Sequence, residues 1–269
     1  MNYTQYIENR LQQGVDFSIS RAISEGFSYL GKNTGQYILF TLVYGLVMIG
    51  ASMFANFIPF EIGTYIIKAV LSPALAIGYA TYCRQQVVHG TAEFGNFFDG
   101  FRNNYSQMVV ANVLIMIIIG LSSALLLLPY TQELAATMQD IVANGGSPGE
   151  IFEEISAIFG KHVLPIFGYL VIALVVQVFY LQVNYFVVFY DFGFWEAMEA
   201  SRILMSRVFF KAIGYLIVAS LIFVFGTLFS LGIGALFLFP AIMLMSYSVF
   251  EQLAGFNALE PKLEDDLII

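Results

Sequence analysis

Charge is what this sequence has least of. Asp, Glu, Lys and Arg make up 11% of the 269 residues while 59% are hydrophobic. A soluble globular domain is roughly one-quarter charged, so composition alone sets the class as a membrane protein. The 11 Lys and Arg residues are scattered along the chain, which excludes a nucleic-acid binder, because such proteins cluster their cations against phosphates. The single cysteine, Cys83, excludes an intrachain disulfide and any multi-cysteine zinc site. The net charge of −8 implies no basic partner, since the acidic residues concentrate in two stretches, Glu133 to Glu154 and Glu260 to Asp266.

Chemical motifs are equally sparse. No phosphate-binding glycine loop, serine elbow or HExxH occurs. The two histidines, His89 and His162, fall on opposite sides of the membrane in the topology derived below, so they share neither a metal nor a proton relay. Glu196 and Glu199 share a helix face, but Arg202 and Arg207 beside them make it a solvated charged face. Glu264, Asp265 and Asp266 form a terminal acidic run of the kind that stays solvated. The sequence therefore offers no catalytic, cofactor-binding or metal-ligating residue, and a non-enzymatic protein is expected.

What the sequence has in abundance is long apolar runs. Six of them, residues 37–57, 64–83, 108–128, 163–190, 212–230 and 233–250, approach or exceed the ~20 residues that cross a ~30 Å hydrocarbon core at 1.5 Å per residue. The first is expected to end at Pro59 and the third at Pro129; the fifth and sixth are separated by a tight turn at Leu231-Gly232. Lys68 sits about one turn inside the outer end of the second run, where its stem can snorkel to the headgroups.

Amphipathic or aromatic segments precede these runs. In Phe194 to Lys211, residues Phe194, Met198, Leu204, Met205, Val208 and Phe209 fall on one half of a helical wheel, with Glu196, Glu199, Arg202, Ser206 and Arg207 on the other. Near the N-terminus Ile19, Ile23, Phe27 and Leu30 line one face, with Arg21, Glu25, Ser28 and Lys32 opposite, and Arg21 pairs with Glu25 at i,i+4. A third patch, FGNFFDGFRNN, places Arg102 before the third run. The expected fold is all-α: a polytopic membrane domain over residues 1–255, with six transmembrane helices in three hairpin-like units, interfacial helices at the cytoplasmic face and a small outer cap at 131–162. An acidic tail follows at 256–269.

Basic residues orient the expected bundle. Arg10, Arg21, Lys32, Arg84, Arg102, Arg202, Arg207, Lys211 and Lys262 fall on the side of the termini, and only Lys161, apart from Lys68 within its span, falls on the other. By the positive-inside rule both termini are cytoplasmic. Arg21, Lys32, Arg102, Arg202, Arg207 and Lys211 then face the membrane surface, where each contributes roughly 1 kcal/mol of attraction to anionic lipid.

The outer insert reads as two short helices. The first is 132–143; the second opens with Ser147-Pro148-Gly149-Glu150, an N-cap, a first-turn proline and a capping-box glutamate. Its apolar face, carrying Phe152, Ile155 and Phe159, is expected to cap the outer ends of the bundle near Phe57, Phe60 and Leu128; a gate or a partner-docking lid is the alternative. Inside the spans, Asn112 on the third run and Gln177 and Asn184 on the fourth are the polar candidates, the last two sharing a face because they are seven residues apart. They either hydrogen-bond across helices or line a translocation path.

The segments FSISRAISEGFSYLGKN before the first run and FWEAMEASRILMSRVFFK before the fifth, with FGNFFDGFRNN between them, give the chain its pattern of amphipathic helix, basic residue and apolar hairpin. In this pattern it resembles the six-helix bacterial membrane proteins of unknown function related to the membrane domain of glycerophosphoryl diester phosphodiesterases. The resemblance implies a bacterial inner-membrane location and supplies no site residues. Three functions stay open: a non-enzymatic component that organises lipid or binds partners, a transporter of small solutes or lipid, and an intramembrane enzyme. Membrane lipid is the expected partner, with a protein partner or a second copy left open.

Overall fold

In the computed structural model, residues 3–55, 62–143 and 147–256 are described. Every regular element among them is helical, and five helical segments are long and apolar enough to cross a membrane: Thr34–Ala55, Tyr105–Leu128, Val163–Tyr190, Phe209–Phe229 and Ala235–Ala254. The chain divides into two compact units, residues 1–113 with 178–269, and residues 114–177.

The larger unit holds α1 (Tyr3–Gln13), α2 (Ile19–Lys32), α3 (Thr34–Ala55), α4 (Ile62–His89), a 3₁₀-helix (Phe94–Phe101) and the start of α5 (Tyr105–Ala143). It also holds α8 (Val183–Tyr190), α9 (Phe194–Arg207), α10 (Phe209–Phe229) and α11 (Ala235–Ala254). Contacts along α3 and α4 run in opposite order. Asn33 bonds Tyr82 (2.7 Å), Thr41 meets Tyr79 (2.9 Å) and Tyr44 meets Ser72 (3.0 Å), so the two helices are antiparallel. The same holds for α10 and α11, where Tyr215 meets Ser246 at 2.9 Å and Gly226 lies against Leu238. The turn between them is the expected one, with Leu231 at φ 52° and Gly232 at φ 93°.

Small residues let these helices approach closely. A Cβ on Gly26 of α2 would stand 2.4 Å from Met245 Cγ and 2.9 Å from Met245 N in α11. One on Gly78 of α4 would stand 2.1 Å from the Phe97 carbonyl. Phe97 in turn is stacked between Phe40 (4.2 Å) and Tyr82 (4.0 Å). The patch preceding the third run is thus a short 3₁₀-helix driven into the groove of α4, with Phe97 and Gly100 buried. It is not a helix laid on the surface.

The two amphipathic helices pack on protein as well. The face of α2 that is buried carries Ala22, Gly26 and Leu30, while Phe27 is exposed. The packing face is rotated from the one the apolar residues outline, because close contact with α11 selects small side chains. α9 buries Met198, Leu204 and Met205, as its wheel predicts, together with Ala197, Ala200 and Ser201. α1 has no counterpart in the sequence reading. Its Tyr6 ring packs on Tyr190, Phe192 and Phe186.

In the smaller unit, α5 continues through position 129 to Ala143 rather than stopping at Pro129, so the first expected outer helix is the end of α5. α6 (Pro148–Lys161) starts where the capping sequence places it, with Ile151 N–H donating to the Ser147 carbonyl at 3.1 Å; the Glu150 side chain lies outside the described residues. α7 (Val163–Phe179) follows after a turn at His162. The fourth run is therefore not one helix: α7 ends at Phe179 and α8 starts at Val183.

Candidate functional site

The break between α7 and α8 separates the polar residues nominated on that run. Asn184, in α8, accepts from the Asn112 amide at 2.7 Å, and Asn112 Nδ2 also donates to the Met108 carbonyl at 2.8 Å. Gln177, in α7, is exposed. A seven-residue spacing places two side chains on one face only while the helix is continuous, and here it is interrupted. The Lys68 side chain lies outside the described residues.

The interruption is itself organised. Ser201 Oγ on α9 donates to the Phe179 carbonyl at 2.7 Å and accepts the Gln182 N–H at 3.2 Å, supplying one partner to each side of the gap. Gln182 is 1% exposed, and both its amide nitrogen and its amide oxygen lack a hydrogen-bond partner among the described residues. Leaving such groups unpaired costs about 1–3 kcal/mol each. Nothing in the sequence set Gln182 apart, because a glutamine inside an apolar run reads the same whether the helix is continuous or broken.

A second polar set joins α2 to α11. Glu25 accepts from Arg21 (2.7 Å) and from Ser248 (2.5 Å), and Tyr29 donates to Glu251 at 2.8 Å. Burial, and after it the Glu251 carboxylate, pushes the Tyr29 phenol up, which keeps it a donor. The Tyr247 hydroxyl is buried and has no hydrogen-bond partner among the described residues. Arg10 closes the end of α11 by donating to the Leu253 carbonyl (2.7 Å) and the Gln252 carbonyl (2.8 Å), where Tyr6 and Tyr190 both donate to the Ala254 carbonyl. A cation on these orphan carbonyls also opposes the negative end of the helix dipole. The sequence places Glu251 beyond the sixth run; in the structure α11 carries it on as far as Ala254.

Most of the basic residues nominated for the membrane surface are neutralised by a neighbour. Arg21 pairs with Glu25, Arg102 with Asp99 at 3.3 Å, Arg202 with Glu199 at 2.5 and 2.9 Å, and Lys211 with Asp16. The hydrogen bond from Lys211, then that from the Phe17 amide, holds the Asp16 carboxyl below the usual carboxylate range; Arg202 does the same for Glu199. Lys32 lies over the Tyr29 ring at 5.4 Å, and Arg207 is exposed at the end of α9. Glu196 is occupied in capping α9, accepting from Gly193 N–H at 3.2 Å.

In the smaller unit, Glu133 is clasped by Lys161 (2.6 Å) and His162 (2.7 Å), with the Tyr130 ring 4.0 Å from the imidazole. These bonds, that from Lys161 first, hold the Glu133 carboxyl below its ordinary value. On α6, Ile158 is buried and Ile155 half-buried, while Phe152 and Phe159 are 73% and 54% exposed. Phe57 and Phe60, the expected partners of this helix, lie outside the described residues, and Leu128 is exposed.

Comparison with models of known protein families, with curated proteins and with solved structures gives no match.

Proposed function

We propose that the chain is a non-enzymatic, membrane-organising component of a bacterial inner membrane, crossing it six times with both termini in the cytoplasm. The observation that carries the functional part is the Asn112 to Asn184 hydrogen bond: the polar side chains best placed to line a path satisfy each other instead. The resemblance to the six-helix proteins related to the phosphodiesterase membrane domain belongs to this proposal as the source of the inner-membrane assignment.

Support for the sixth crossing comes from where helix ends meet. The start of α3 lies beside the end of α4 through Asn33 and Tyr82, and Asn104 before α5 bonds Asp191 after α8 at 3.0 Å. Ser18 before α2 bonds Gln252 of α11, Tyr190 of α8 bonds Ala254, and Lys211 in the first turn of α10 reaches Asp16. Six helix ends thus gather at one rim of the larger unit. A first span that starts at the rim where the last span ends supports an even number of crossings, with α4, antiparallel to α3, as the return. Burial of Leu75, Ile77, Tyr79 and Tyr82 in α4 shields that helix from lipid, so it can carry more polar residues than its neighbours.

One observation favours a second reading, transport of a small solute or lipid. Broken helices near the bilayer centre are how transporters build binding sites, and the unpaired Gln182 amide sits at such a break. The two readings part in one experiment: extraction in native lipid, identification of what copurifies, and solute flux after reconstitution. The proposal expects a reproducible lipid or protein complement and no flux. Flux abolished by Gln182→Leu or Asn112→Leu would overturn it.

A further inference from the structure

Nothing in the local sequence breaks the helix between Phe179 and Val183. Residues 176–190 contain neither proline nor glycine, and no residue from 180 to 182 has left-handed backbone. Gln182 itself stands at φ −103° and ψ 4°, both within roughly 50° of α-helical values. A helix that breaks without proline or glycine has a side chain inserted into its i→i−4 ladder, and here that side chain is Ser201.

A continuous helix would join Gln182 N–H to the Val178 carbonyl and Val183 N–H to the Phe179 carbonyl. Ser201 Oγ takes one group from each of those bonds, accepting from Gln182 N–H at 3.2 Å and donating to the Phe179 carbonyl at 2.7 Å. The two groups left over make longer bonds across three residues, Leu181 N–H to the Val178 carbonyl at 3.4 Å and Val183 N–H to the Tyr180 carbonyl at 3.3 Å. The broken form is also costly at the Gln182 side chain, which is buried with both amide atoms unpartnered among the described residues. One fully buried hydroxyl on α9 therefore holds apart a ladder whose own residues can close it.

We infer that residues 178–183 form a two-state joint, broken while Ser201 is inserted and helical when α9 draws it out. The joint goes beyond the membrane-organising reading and does not rest on it. Coupling between helices needs an element with two discrete arrangements, and the ladder at 178–183 supplies one. Serine suits the part, because a single atom offers both a donor and an acceptor and its withdrawal strands no charge. α9 is separated from α10 by Val208 alone, so movement of α10 reaches Ser201 through a 14-residue helix. With Ser201 withdrawn, α7 and α8 become the single 28-residue helix that Val163–Tyr190 has the composition to form.

The test is amide hydrogen exchange on the full chain in lipid nanodiscs, resolved at Leu181, Gln182 and Val183, in wild type and Ser201→Ala. If Ser201 only fastens a permanent break, its removal leaves Gln182 N–H without an acceptor and exchange there speeds up. The joint predicts the opposite sign: the ladder closes, and exchange at Gln182 and Val183 slows about tenfold, the equivalent of one backbone hydrogen bond. Unchanged or faster exchange in Ser201→Ala would overturn the joint. Should that variant fail to fold, wild type still decides. Its amides at 181–183 are expected to exchange through a local opening, at rates that stay constant as low denaturant is added, while Val187 and Val188 within α8 exchange only with unfolding. Denaturant-dependent exchange at all five positions would make the segment part of one rigid unit and overturn the joint.

Discussion

Gly26 shows how a single missing side chain decides which face of a helix is packed. A methyl group there would meet the Met245 backbone nitrogen at 2.9 Å, and a backbone atom within α11 cannot swing aside as a side-chain tip can. Gly26→Ala is expected to destabilise by ~1–3 kcal/mol, the usual cost of overpacking, read as a lowered thermal transition in detergent. Gly31→Ala, five residues on in the same helix with open space around it, is expected to be neutral or slightly stabilising. Equal effects from both would mean that α2 does not dock closely on α11. Glu133 makes a different residue-scale prediction. Its carboxyl is held below the ordinary range, so the clasp on Lys161 and His162 contributes fully above about pH 4, the unfolded carboxylate value. That contribution is lost as pH falls through the lowered folded value. Deuterium uptake in α6, corrected for intrinsic rates, should rise from pH 6 to pH 3 in wild type and start high in Glu133→Gln. Uptake independent of both pH and substitution would show that the clasp does not restrain α6.

At the scale of elements, the junctions carry more information than the helices. Asn104 and Asp191 both adopt left-handed backbone, φ 52° and 55°, and are hydrogen-bonded to each other at 3.0 Å. Asparagine tolerates that conformation better than alanine, and glycine needs no side chain there. The expected order of stability is wild type, Asn104→Gly, then Asn104→Ala, the last two separated by ~1–2 kcal/mol; chemical denaturation of the three would reveal a different order. Helices and turns such as Leu231-Gly232 and Ser147-Pro148 were legible because apolar length, glycine and proline act locally. The break at 180–182 was not, since Gln182 and Ser201 meet only after α9 folds back on the α7–α8 junction. Pro129 misled for the opposite reason: proline removes one backbone donor, and the rest of α5 outlasts that loss. The Arg21 to Glu25 pair was visible as a spacing, whereas the bonds from Ser248 to Glu25 and from Lys211 to Asp16 depend on partners 223 and 195 residues away.

For the whole molecule, the proposed even number of crossings is the claim most open to test. Reporter fusions after Gly149 and at the C-terminus should place the former outside and the latter in the cytoplasm, and a fusion within Pro59 to Gly63 should also report outside. A cytoplasmic signal from that last fusion would remove the crossing by α4 and put the termini on opposite sides.

The closure of α11 by Arg10 has a consequence for how the protein is made. Arg10 and the Leu253 carbonyl it binds lie 243 residues apart, so the clasp cannot form until α11 has been synthesised. Synthesis proceeds from the N-terminus, so until α11 is made the Arg10 guanidinium and the Tyr6 hydroxyl lack the carbonyls they bind. Chains cut short before α11 would keep the Tyr6 ring contacts but leave the Arg10 guanidinium permanently without its acceptors, a mark by which a quality-control protease can tell an unfinished bundle from a finished one.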